Sequence, residues 1–152
     1  MSSWWTRNVV EPGKLPLLIC FLAFVVTFLV TRFITRSIRA GRGPLHDVES
    51  GGMHIHHAVP GLVLLLVGAV TAIAAPPVAP WREVAALAIG AGSSLVLDEF
   101  ALILHLQDVY WSDEGRASVQ AVALVVACQA LALVGLAPFG VDDVGDAELG
   151  LR

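Results

Sequence analysis

The chain has 152 residues, of which 57% are hydrophobic and 14% charged, with a formal net charge of −4. A soluble domain usually carries about a quarter charged residues, so this composition argues against a water-soluble globule. No nucleic-acid partner is expected.

The apolar residues come in runs. Four of them, over 15–38, 58–75, 84–106 and 119–137, are long enough to cross a hydrocarbon core of about 30 Å. The sequence therefore predicts an all-α integral membrane protein, one domain over 1–152, folded as an antiparallel bundle of four transmembrane helices with an acidic tail over 138–152.

Ahead of the first run, Trp4 and Trp5 suit the headgroup level, where indole rings settle. Arg7 and Lys14 could serve as the positive region of a signal peptide. The apolar stretch after them is too long, however, and no small-residue cleavage site follows, so the first span is expected to stay. Cys20 and Cys128 fall inside spans, where a lone cysteine is a small apolar packing residue.

Arg32, Arg36, Arg39 and Arg42 cluster at the junction between spans one and two. By the positive-inside rule this junction is cytoplasmic, which puts both termini outside in a multi-pass protein of the inner (plasma) membrane. Counting lysine and arginine gives five inside and four outside. The loop over 40–52 is rich in glycine and also holds His46, Asp47 and Glu49, residues that could fold back over a site.

Span two opens on Met53-His54-Ile55-His56-His57. Span three carries a run of small residues, Gly90 to Ser94, that lets another helix approach closely. Asp98, Glu99, His105 and Asp108 follow. Antiparallel connectivity brings the start of span two and the end of span three to the same membrane side, whichever way the protein is inserted. On a helix advancing about 100° per residue, His54 and His57 share a face, and His56 joins them only if the segment is loop. Ser94, Asp98, His105 and Asp108 would form one polar stripe, with Glu99 at its border. The loop that follows carries Tyr110, Trp111, Asp113, Glu114 and Arg116.

Ionisable groups in or beside a bilayer are costly and mark sites. Imidazole with carboxylate suits a divalent metal, zinc ahead of iron. The expected ligands are His54, His57, Asp98 and His105, with His56 as a further donor. Glu99 and Asp108 are the expected catalytic carboxylates, as general base to a metal-bound water or as groups orienting the imidazoles. Alternatively Asp98 pairs with an arginine or with Gln120.

The stretches 52–61 and 97–111 resemble an uncharacterised family of small actinobacterial four-span integral membrane proteins, and that resemblance implies no activity. Ser94-x-x-x-Asp98 with the histidines is similar to the membrane hydrolases of the alkaline ceramidase type, although those have seven spans. Membrane di-iron desaturases and hydroxylases, with histidine-rich boxes near the cytoplasmic face, are a further comparison.

The function expected is a membrane metal-binding protein, a metal-dependent hydrolase in the first instance, acting on a lipid or other hydrophobic substrate at the cytoplasmic interface. An iron-dependent oxidoreductase, a metal or proton conduit and an accessory structural subunit are the alternatives. Oligomeric state is not legible.

Overall fold

A computed structural model describes residues 5–11, 13–41, 49–50, 53–54, 56–105 and 116–135. The described chain is helical apart from a two-residue antiparallel pairing of Glu49 with His54 and Ser50 with Met53. A π-helical turn, Thr6–Val10, precedes α1 (Leu15–Arg39), α2 (Ala58–Ala74), α3 (Trp81–Asp98), the short α4 (Phe100–His105) and α5 (Arg116–Gly135).

Local chemistry sets these ends. Pro16 lies in the first turn of α1, where its missing N–H removes nothing. Gly41 closes the helix at φ +63°, donating to Ile38 O while Ala40 donates to Arg36 O. Pro60 is the third residue of α2, again a position without an intrahelical partner for its nitrogen. Lys14 donates to Leu133 O at 2.8 Å, placing a cation at the C-terminal end of α5.

Helix α3 is the hub, packing most extensively on α2 and next on α1. It runs parallel to α1, since Gly90 meets Cys20 at one end and Asp98 meets Arg32 at the other. It runs antiparallel to α2, since Gly92 meets Gly61 while Ile89 meets Gly68. Glycine is required at the crossing with α2. A Cβ on Gly92 would stand 2.5 Å from Leu65 N and 2.7 Å from Gly61 O, both backbone atoms that cannot swing aside. Gly92→Val is therefore expected to push α2 off α3 and cost about 2–3 kcal/mol, read as a lower thermal midpoint in detergent. Gly135→Ala, with nothing within 4 Å of the added carbon, should not lower it. Equal midpoints for both variants would contradict this packing.

Two of the four long helices, α1 and α5, are long and apolar enough to cross a membrane; α2 is shorter, at 17 residues. Among the described residues small apolar side chains and Phe24 are buried, but so are several polar ones, while many large apolar side chains are exposed. Arg32, Ser94, Asp98, Glu99 and Ser118 are buried, whereas Phe33, Leu66, Ile73, Leu131 and Val134 face outward.

The continuous third helix expected over 84–106 is not formed. It stops at Asp98, Glu99 turns with its N–H reaching back three residues to Val96 O, and α4 restarts at Phe100. The cause is chemical. Adjacent residues in a helix diverge by about 100°, yet both Asp98 and Glu99 engage histidines from the start of α2. Ser118 Oγ, buried in α5, accepts the Ala101 N–H at 2.9 Å and so caps the restart. The polar stripe expected from Ser94 through Asp98 to His105 and Asp108 is thus interrupted at Glu99.

Candidate functional site

The histidine segment does not enter the helix as a face. His54 lies in the short strand pair and His57 is the N-cap of α2, so the i,i+3 pairing of His54 with His57 is not formed. Instead His56 and His57, both at the helix entrance, reach the carboxylates of Asp98 and Glu99. His56 Nδ1 is 2.8 Å from Glu99 Oε1, and His57 Nε2 is 3.0 Å from Asp98 Oδ2. The other ring nitrogen of His57, Nδ1, stands 3.5 Å from Glu99 Oε1. An ionised carboxylate only accepts, so the imidazole nitrogen facing it at hydrogen-bond distance carries the proton.

The remaining oxygens are also engaged. Glu99 Oε2 accepts the Ala58 N–H at 2.6 Å. His57 gives no side-chain cap to α2, so a carboxylate from another helix does that work, where the positive end of the helix dipole favours an anion. Asp98 Oδ1 accepts from Arg32 Nε at 2.5 Å, and the Arg32 guanidinium also lies 5.4 Å from the Phe28 ring centroid.

Five ionisable side chains from α1, the α2 entrance and the α3–α4 break therefore form one cluster. Its floor is closed to solvent, with side-chain exposures of 0% for Asp98, 5% for Glu99 and 10% for Arg32. Its rim is open, at 31% for His56 and 23% for His57. One turn before Asp98, the Ser94 hydroxyl is buried with no hydrogen-bond partner among the described residues. A buried hydroxyl left in that state costs about 1–3 kcal/mol, which favours a water or ligand atom beside it.

Comparison with protein-family models, curated proteins and solved structures returns no match. The site must speak for itself.

Of the residues expected from the sequence, the structure brings together His56, His57, Asp98 and Glu99. It places His54 in the adjoining strand and His105 at the end of α4. The side chains of His54 and His105, and all of Asp108, Asp113, His46 and Asp47, lie outside the described residues. Gln120, considered as a partner for Asp98, is exposed on α5, and the arginine alternative is the one found. No group of three or more His, Cys, Asp or Glu side chains forms a ready metal site among the described residues. The imidazoles and carboxylates face one another in pairs rather than converging on a common centre.

Arg32 was grouped with the interfacial arginines and not with the site. In the structure Arg32 and Asp98 each lie seventeen residues beyond the first residue of their helix, and so at one depth.

Proposed function

We propose that the chain is a multi-pass protein of the inner membrane, an antiparallel bundle of four transmembrane helices, that binds a divalent metal ion at the His56–His57–Asp98–Glu99 cluster. The exposure of large apolar side chains supports the membrane reading. In water, the outward Phe33, Ile73 and Val134 would form part of an apolar surface that soluble monomers avoid. The lengths agree as well: at 1.5 Å per residue α2 and α3 reach about 26–27 Å, close to a hydrocarbon core of about 30 Å.

The observation that carries the metal reading is that each of two adjacent imidazoles is held by a buried carboxylate from another helix. Metal-binding histidines are oriented in this way: one ring nitrogen donates to a carboxylate, fixing the tautomer, and the lone pair on the other is the ligand. For His56 the orienting group is Glu99, 2.8 Å from Nδ1. This shifts Glu99 from general base toward positioning residue. Zinc is placed ahead of iron, and hydrolysis of a lipid ester or amide by metal-bound water is placed ahead of oxidation.

A second reading has its own observation. Every oxygen of Asp98 and Glu99 already has a partner, as in a polar clasp that holds α1, α2 and α3 together without a metal.

Zinc titration of the detergent-purified protein against a chromophoric chelator separates the two. The metal reading predicts that Glu99→Gln weakens zinc about 10–100-fold, that His56→Ala abolishes binding, and that Asp113→Ala changes nothing. Indistinguishable titrations for all three variants would leave the clasp.

A further inference from the structure

At the end of the helices opposite the histidines, residues of α1, α2, α3 and the α2–α3 connection line a largely apolar groove of about 650 Å³. Leu17, Ala72, Pro77 and Ala86 line it, and Trp81 and Arg82 stand at its edge as the first two residues of α3. The volume lies within the range of about 300–1,000 Å³ common for small-molecule pockets, which often sit between helices of bundles.

Two features choose an occupant. The Arg82 side chain is half-buried in this apolar lining and makes no ion pair or hydrogen bond among the described residues; Glu83, next in sequence, does not line the groove. A guanidinium so placed calls for an anion, and its planar fork matches phosphate oxygens. Trp81 is exposed beside it, a residue type that settles at headgroup level. Arg82 is sixteen residues from Asp98, about 24 Å along the helix, so this is a site separate from the histidine cluster.

We infer that the groove binds a phospholipid, with one acyl chain between α1, α2 and α3 and the phosphodiester on Arg82. The inference rests on the membrane reading and is independent of the metal reading. A lipid held here would occupy the groove at the bilayer surface opposite the histidine cluster.

The test is native mass spectrometry of the full chain in detergent, titrated with dioleoyl-phosphatidylglycerol and with dioleoylglycerol, which has the same chains and no phosphate. The wild type should retain the phospholipid at about a tenfold lower concentration. Arg82→Gln should bring the two lipids together, and Ala72→Leu, at an exposed position of the lining, should weaken both. Alkaline carbonate extraction of the membranes is run alongside. Release of the protein by carbonate would overturn the membrane reading and this inference with it. A carbonate-resistant protein with no preference for the phospholipid, or with a preference that Arg82→Gln leaves intact, would overturn the lipid site alone. Unchanged binding in Ala72→Leu would do the same.

Discussion

Arg32→Met is expected to be the most damaging single change in the molecule. It would leave the Asp98 carboxylate, fully buried, without the cation that balances its charge. Removing one partner of a buried ion pair costs about 3–5 kcal/mol, because the other charge stays desolvated with that partner missing. Here His57 still faces Asp98 Oδ2, which sets the loss toward the lower end. The matched double variant Arg32→Met/Asp98→Leu removes both charges and should recover most of that loss, since a buried pair replaced by apolar residues is often near neutral. His57 still loses its contact with Asp98 in the double variant, so full recovery is not expected. Thermal unfolding in detergent of wild type, both single variants and the double gives the coupling directly. Additive losses would mean that the two side chains do not act as a pair.

Glu99→Ala is expected to rank next, for a different reason. Glu99 makes two short bonds at once, to the Ala58 N–H at the buried start of α2 and to His56. Hydrogen bonds to charged groups contribute about 1.5–3 kcal/mol each and do not add fully, so a loss of about 2–4 kcal/mol is expected. The loss should be local before it is global. Amide exchange over the first turn of α2 should accelerate in Glu99→Ala while the middle of α3 keeps its protection. Glu99→Gln should fall between, because its amide oxygen can still accept from Ala58. A first turn of α2 that exchanges at the wild-type rate in Glu99→Ala would remove Glu99 from the capping role.

These two residues show where the sequence could be read and where it could not. The apolar runs placed the long helices to within a few residues, because composition and length alone carry that signal: 15–38 against Leu15–Arg39, and 58–75 against Ala58–Ala74. The meeting of the histidine segment with Asp98 and Glu99 followed from connectivity. The break at Glu99 did not. Nothing in Leu97-Asp98-Glu99-Phe100 is a helix breaker, and the break falls where both carboxylates meet histidines more than forty residues away. For the histidines themselves a local signal was present. Pro60 has no N–H and its ring collides with the carbonyl four residues earlier inside a helix, which bars a helix begun at His54. The i,i+3 face was therefore excluded by a residue already on the page, and His56, at the helix entrance, meets Glu99.

Arg32 illustrates a different limit. Both its possible roles, headgroup anchor and buried partner, start from the same local pattern of arginine near the end of an apolar run. Only the depth of Asp98 on a helix running parallel to α1 distinguishes them, and depth follows from pairing of elements, not from either segment alone. Exposed Phe33 beside buried Arg32 makes the point sharply, since hydrophobicity by itself would have assigned the opposite environments.

The measurement that bears most directly on the central claim is elemental analysis of the detergent-purified wild-type protein. The account predicts about one equivalent of zinc per chain, or of iron in the oxidoreductase alternative, retained through gel filtration and lost in His56→Ala. A wild-type protein that holds no metal at comparable stoichiometry after reconstitution, yet folds with the same stability, would contradict it and leave the cluster as a polar clasp between helices.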